Sequence, residues 1–101
     1  MQYIQTLDRT PRFYERLDVG FGAVVMLTAL YRDDPNINAV FLTVETANIR
    51  YRIDGGDPDA NDGHIVYATG NLYLCDPHAI HELRMITFNQ DAASVIVTYY
   101  V

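Results

Sequence analysis

The sequence predicts a compact all-β domain, a β-sandwich or a small barrel, preceded by an extended N-terminal arm. The chain has 101 residues, the usual size of one domain with one hydrophobic core. Half of its residues are hydrophobic, but they stand in short runs that Asp, Asn, Gly and Pro interrupt. About seven such runs have the length of strands, and this spacing is typical of sandwiches and small barrels.

The arm is predicted over residues 1–20 and the β domain over residues 21–101. The arm holds three of the seven arginines, and its few apolar residues follow neither a helical nor a strand period for long. We expect it to be extended or disordered in the free protein, so that deleting residues 1–18 would leave the β domain folded. The residues expected to contact a neighbouring chain are Arg9, Arg12, Phe13, Tyr14 and Arg16.

Three strands are predicted in the first half of the β domain. The apolar run at residues 23–31 has the length of a buried strand and ends at a turn-rich segment. Two alternating segments follow. In the first segment one face carries Val40, Leu42 and Val44, and the other carries Phe41, Thr43 and Glu45. In the second segment the residues predicted to point inward are Ile49, Tyr51 and Ile53, and those predicted to point outward are Asn48, Arg50 and Arg52.

The second half begins with an exposed loop at residues 54–63, which consists almost entirely of Asp, Asn, Gly, Pro and Ala. A helical turn is predicted at residues 77–82. Short strands are predicted at residues 65–68, 72–75, 83–88 and 94–101. Cys75 lies in an apolar run and is expected to be buried and unreactive.

The composition excludes several classes of protein. The net charge is −6, with seven arginines and no lysine, so the chain has no basic stripe that would neutralise nucleic-acid phosphates. No apolar run approaches the length of a membrane span, and no secretory signal is visible at Met1. Arginine and the eight tyrosines are instead typical of surfaces where proteins meet.

Possible metal sites match their motifs poorly, so the sequence predicts no metal and no other cofactor. Asp57-x-Asp59-x-Asn61 begins like a calcium loop, but Asp62 and Ala68 replace the glycine and the bidentate glutamate of that motif. A solvated acidic turn is the better interpretation. A transition-metal set could combine residues close in sequence, His64, Asp76, His78, His81 and Glu82.

Catalytic motifs are also lacking, so we expect no enzyme activity. Ser94 is the only serine, it begins a predicted strand, and no GxSxG sequence surrounds it. A metal enzyme of the cupin type would need about three ligands on inward strand positions, whereas the histidines lie mostly in predicted turns. Arg50 and Arg52 share the outward face of one strand, where they could bind a partner or pair with Glu45 or with the acidic loop.

Residues 39–101 resemble a family of small bacteriophage virion proteins. The most specific match is the sequence ANIRYRIDG at residues 47–55, followed by Pro58 and Gly63. Weaker matches are the segments 39–45, 72–74, 83–86 and 93–100. The loop before Gly63 is more acidic than the family pattern, and ATGN at residues 68–71 replaces an expected Ala-Gly-Asp turn.

The resemblance implies a β-rich structural component of a tailed-phage particle, made in the bacterial cytoplasm and located in the virion. We therefore expect a non-enzymatic capsid decoration (cement) protein that binds the major capsid protein or another virion protein. A head-to-tail connector or tail component is the first alternative, and a small carbohydrate- or metal-binding module is the second. An arm that orders on binding would cover a large contact surface from a small body.

The apolar segment at residues 95–101 predicts self-association. A strand at the end of a chain either lies inside a sheet or forms an edge that must be covered. We expect a closed homo-oligomer, a dimer or trimer, with Tyr99 or Tyr100 at the subunit contact. Alternatively, Tyr99 faces the core and Tyr100 points to solvent.

Overall fold

Two four-stranded antiparallel sheets pack face to face in the computed structural model, which describes residues 9–88 and 91–101. Sheet A has the strand order β1-β8-β3-β6, and sheet B has the order β2-β7-β4-β5. The predicted all-β fold is confirmed, and of the two predicted architectures the structure is a sandwich. The strands are β1 Pro11–Val19, β2 Val25–Met26, β3 Ala39–Glu45, β4 Ile49–Arg52, β5 His64–Val66, β6 Asn71–Leu74, β7 Arg84–Thr87 and β8 Ala93–Tyr100.

Two short helices connect strands in this sandwich. They are α1 at Ala29–Arg32 and α2 at Pro77–Glu82. The predicted helical turn at residues 77–82 is confirmed as α2. The Asp76 side chain caps α2 by accepting a hydrogen bond from the His78 N–H at 3.1 Å, and Pro77 occupies the first turn. Among the described residues, no helix has the length and apolar character that crossing a membrane requires.

The core lies between the sheets and follows the predicted alternation. Val40, Leu42 and Val44 of β3 are completely buried, while Glu45 is exposed. Ile49 is also completely buried, as predicted for the next strand. In β8 the fully buried residues are Val95, Val97 and Tyr99. Sheet B contributes Val66 and Met85 to the same cluster. Every second residue is therefore buried along residues 40–45 of β3 and 93–99 of β8, whereas β7 buries the three consecutive residues Met85, Ile86 and Thr87.

Strand β1 corrects the predicted arm. Residues 11–19 pair with β8 over the whole strand, from Pro11↔Tyr100 to Val19↔Ala93, with a bulge after Pro11. Phe13, Leu17 and Val19 pack against the core. The arm prediction is therefore wrong for residues 11–19, because their inward row supplies apolar surface to the sandwich. Residues 1–8 lie outside the described residues, and residue 20 marks the end of β1 within the sandwich rather than a boundary between an arm and a domain.

The apolar run at residues 23–31 is not one buried strand. It contains the two-residue β2 and the start of α1. The Thr28 carbonyl accepts hydrogen bonds from the N–H groups of Tyr31 and Arg32 at 3.0 and 2.8 Å, so the chain turns here. Leu30 is 76% exposed as a result. Cys75 is likewise exposed rather than buried, because it follows the last residue of β6.

Candidate partner-binding face

An aromatic row crosses the outer face of sheet A from one edge to the other. Tyr14 of β1 stands opposite Thr98 of β8, Thr98 stands opposite Phe41 of β3, and Phe41 stands opposite Tyr73 of β6. Their strand neighbours point into the core, so these four side chains point outward. We call Tyr14, Thr98, Phe41 and Tyr73 the aromatic row.

The row remains accessible in the chain. Tyr14 is 64% exposed and Tyr73 is 37% exposed, while Phe41 and Thr98 are half-buried. Tyr100 lies on the same face but is buried, and burial together with the nearby Tyr73 raises the pKa of its hydroxyl. Aromatic side chains on a sheet lose little conformational entropy when a partner covers them, and tyrosine is enriched at energetically important contacts.

Charged residues of β1 surround the row with ion pairs. Arg16 Nη1 lies 3.3 Å from Glu45 Oε1, and both side chains are about half exposed. Arg12 Nε lies 3.3 Å from Asp34 Oδ2. Such exposed pairs contribute little to folding, but an aromatic centre with a polar rim is the usual arrangement of a protein interface.

The outer face of sheet B has a different character, because the loop at residues 54–63 packs against the outward side chains of β4 and against Arg84 of β7. Arg50 Nε donates to the Ala60 carbonyl at 3.1 Å, and Arg50 Nη1 donates to the Gly63 carbonyl at 2.8 Å. The guanidinium carbon also lies 4.8 Å from the centre of the Phe88 ring. Gly63 has a φ of +127°, and a Cβ there would lie 3.1 Å from Arg50 Cβ. Any other residue at Gly63 would strain this contact.

Arg52 and Arg84 hold the first part of the same loop. Arg52 donates to both carboxylate oxygens of Asp54, at 3.0 and 2.7 Å, and to the Asp57 carbonyl at 3.3 Å. Arg84 Nη1 donates to Asp57 Oδ1 at 2.9 Å. Arg50 and Arg52 thus contact the acidic loop of their own chain, which is the alternative to partner binding that the sequence left open.

The Arg52 guanidinium and the Gly56 N–H lower the pKa of Asp54 from its ordinary value of 3.8 to about 2. A carboxyl group with a lowered folded-state pKa contributes stability above its unfolded-state pKa, and that contribution is lost as the pH falls through the folded-state value.

We expect Asp54→Asn to be slightly less stable than the wild type at pH 5. The difference should shrink between about pH 4 and pH 2. Thermal unfolding of both proteins at pH 5, 3.5 and 2 measures this difference in stability. A difference that stays the same at all three pH values would contradict a stabilising role of the Asp54 carboxylate.

The four loop aspartates do not form a cation site. Asp59 Oδ1 accepts hydrogen bonds from the N–H groups of Asn61 and Asp62 at 2.7 and 2.8 Å, so it closes a turn of the loop. Within residues 9–88 and 91–101, no group of three His, Cys, Asp or Glu side chains could hold a metal ion. His81 instead lies 3.4 Å from Asp33 and 3.4 Å from Glu82. The lack of a bound metal stays a prediction.

A hydrogen-bonded cluster on the inner side of sheet A connects β1 and β8 to the segment that precedes α1. The buried Tyr99 hydroxyl donates to Glu15 Oε2, and Thr28 Oγ1 donates to Glu15 Oε1 at 2.5 Å. Burial, followed by the Glu15 carboxylate, raises the pKa of Tyr99. The rings of Phe13, Tyr31 and Tyr99 contact one another, with centroid distances of 4.6 Å from Phe13 to Tyr31, 5.4 Å from Tyr31 to Tyr99 and 6.3 Å from Phe13 to Tyr99. Tyr99 therefore faces the core, as expected in the alternative that places neither Tyr99 nor Tyr100 at a subunit contact.

The structure separates the predicted partner-binding residues. Tyr14, Arg16 and Tyr100 come together on the outer face of sheet A, with Arg12 beside them. Phe13 packs on the core, and Arg9 Nη1 donates to the Asn38 carbonyl at 3.1 Å. Arg50 and Arg52 lie on the other sheet. Phe41 and Tyr73 were not predicted to bind a partner, although the alternation of β3 and β6 points both outward.

The fold and this surface define a small all-β sandwich with one open aromatic face and one face against which its own acidic loop packs. Comparison with family models, with curated proteins and with solved structures finds no match to this chain.

Proposed function

We propose that this chain is a non-enzymatic structural protein of a bacteriophage virion, and that it decorates the capsid by binding the major capsid protein. The observation that carries the proposal is the aromatic row, which lies open on sheet A while a loop of the same chain packs against the outer face of sheet B. The sequence resemblance to phage virion proteins supplies the class of partner. Binding through the row would bury aromatic surface that water now contacts.

The shape of the molecule suits a protein that lies flat on a larger surface. Its principal extents are 38, 30 and 19 Å. Two sheets that pack about 10 Å apart form a plate whose thin direction crosses both layers. The aromatic row therefore lies on one of the two broad faces. A plate that binds by a broad face covers a large area of its partner for its mass, as a cement protein needs to do.

The test is cosedimentation of the purified chain with undecorated capsids. Tyr73→Ser removes an outer residue of the aromatic row, and we expect binding at least about tenfold weaker, the usual loss when a tyrosine at a binding hot spot is truncated. Tyr67→Ser is the matched control. Tyr67 is 64% exposed and precedes the turn that closes at Gly70, outside sheet A. The control variant should bind as the wild type does.

Three results would contradict the proposal in different ways. If the wild type fails to sediment with capsids, capsid decoration is wrong. If it binds isolated connectors or tails and not capsids, the head-to-tail or tail assignment replaces it. If Tyr73→Ser and Tyr67→Ser bind capsids equally well, the partner does not use the aromatic row.

A further inference from the structure

Strand β1 is a free edge of sheet A, because β8 is its only neighbour among the described strands. Successive residues of an antiparallel strand direct their backbone groups to opposite sides. The backbone N–H of Val44 in β3 donates to the Gly70 carbonyl at 3.0 Å, so Val44 directs its backbone groups toward β6. The odd-numbered residues of β3 therefore direct their backbone groups to β8, where they bond to the even-numbered residues of β8. The odd-numbered residues of β8 bond in turn to the odd-numbered residues of β1. The even-numbered residues of β1 are thus left with their N–H and C=O groups directed to the free edge. These residues are Tyr14, Arg16 and Asp18.

Within the part of the chain that the structure describes, two of these three side chains lack a partner, and the third, Arg16, makes only the exposed ion pair with Glu45 at 3.3 Å. Tyr14, Arg16 and Asp18 are exposed. Among the described residues, the Tyr14 hydroxyl and the Asp18 carboxylate have no hydrogen-bond or ion-pair partner. A nine-residue edge with open backbone groups pairs readily with another strand unless the chain prevents it.

We propose that β1 pairs antiparallel with β1 of a second copy of this chain, about a two-fold axis that passes beside Glu15. In this register Tyr14 stands opposite the partner's Arg16, and Arg12, which lies at the bulge of β1, comes beside the partner's Asp18. The two-fold axis repeats each pair. On the inner face, Phe13 stands opposite the partner's Leu17, and both are partly buried apolar residues. Two sheets A thereby join into one continuous eight-stranded sheet.

The order of charges along β1 selects this register. Moving the partner strand so that Tyr14 faces the partner's Tyr14 would set Arg12 against the partner's Arg16. The opposite shift would set Arg16 against the partner's Arg16. Like charges directly opposite each other destabilise a strand pair, whereas opposite charges and cation–π pairs stabilise it. Only the register centred on Glu15 pairs Arg12, Tyr14, Arg16 and Asp18 favourably at once.

Glu15 does not oppose the pairing, although an inward-facing charge on an edge strand usually does. Its carboxylate is already bound by the Tyr99 hydroxyl and by Thr28. Tyr99 lies on β8 and Thr28 precedes α1, so both donors draw the carboxylate away from the free edge and into its own chain. The two Glu15 carboxylates of a dimer therefore keep their own hydrogen-bond donors.

The proposed dimer goes beyond the proposed function and does not rest on it, because no virion protein takes part. Charge reversal tests it in the free chain. In Arg12→Asp, the new aspartate of each chain faces the Asp18 of the other chain, so the dimer contains two pairs of opposed carboxylates. In Asp18→Arg, the new arginine of each chain faces the Arg12 of the other chain, so the dimer contains two pairs of opposed arginines. Each single variant should dimerise at least about tenfold more weakly than the wild type. The double variant Arg12→Asp/Asp18→Arg should dimerise as the wild type does, and an equimolar mixture of the two single variants should form heterodimers.

Analytical ultracentrifugation measures these equilibria, and circular dichroism melting checks that each variant is folded. The rescue separates pairing across the axis from loss of the Arg12 contact with Asp34 inside the chain, since restored dimers require complementary charges in two chains. A wild type that stays monomeric up to roughly 100 µM overturns the proposal. It is also overturned by single variants that dimerise normally or by a double variant that does not recover. Tyr73→Ser, on the opposite edge strand, should leave the dimer unchanged, so this test and the capsid test can fail separately.

Discussion

Deletion of residues 1–18 is expected to unfold the protein. The deletion removes nearly all of β1, which pairs with β8 along its length. It also strips Phe13 and Leu17 from the core and leaves the buried Tyr99 hydroxyl without Glu15. Small domains are stable by only about 5–15 kcal/mol, and the lost burial and the orphaned polar group together approach that range.

Far-UV circular dichroism and urea denaturation of the truncated chain measure this effect. A shorter deletion of residues 1–8 is the control, because it retains the whole of β1, and we expect it to keep a cooperative unfolding transition. A cooperative transition in the chain lacking residues 1–18, at a urea midpoint near that of the intact protein, would show that β1 is dispensable.

Tyr99→Ala is expected to destabilise the protein by about 3–5 kcal/mol, the usual cost of removing a fully buried aromatic ring. Tyr99 is completely buried and contacts both Phe13 and Tyr31. Tyr99→Phe keeps the ring and removes only the hydroxyl that binds Glu15, so we expect a smaller loss of about 1–3 kcal/mol. The difference between the two variants separates packing from hydrogen bonding.

Equilibrium unfolding in urea gives both free energies, with Tyr67→Ala as the control, because Tyr67 is 64% exposed and lies outside sheet A and outside the proposed dimer contact. That control should change stability by less than about 0.5 kcal/mol. Equal losses for Tyr99→Ala and Tyr67→Ala would mean that burial of the Tyr99 ring contributes no more to stability than an exposed tyrosine does. A Tyr99→Phe variant as stable as the wild type would mean that the Glu15 cluster contributes nothing to folding.

Alternation of apolar and polar residues was enough to predict β3, β4 and β8, because their inward rows are apolar throughout. It failed for β1, where Glu15 interrupts the inward row and Tyr14 adds an aromatic ring to the outward row. The carboxylate is tolerated inside only because Tyr99 and Thr28 come to it from distant parts of the chain. A strand whose inward charge is satisfied by tertiary contacts cannot be recognised from its own residues.

The face on sheet A could be predicted only in part. Tyr14, Arg16 and Tyr100 were named from composition, but the neighbours Phe41 and Tyr73 depend on strand order, which the sequence does not encode locally. The same information was missing for Arg50 and Arg52. Their outward direction was predicted correctly, yet only the folded loop shows that their donors bind the Ala60, Gly63 and Asp57 carbonyls.

The loop that packs against sheet B has a colloidal consequence. The chain carries a net charge of −6, and four of its aspartates, Asp54, Asp57, Asp59 and Asp62, are exposed on the side opposite the aromatic row. Arg50, Arg52 and Arg84 bind the same loop, so their three positive charges offset three of the four carboxylates and leave this side only weakly negative. In the proposed decoration of a capsid this weakly negative side would face outward. Repulsion between two such surfaces would then be short-ranged, limited to the screening length of about 8 Å at physiological ionic strength.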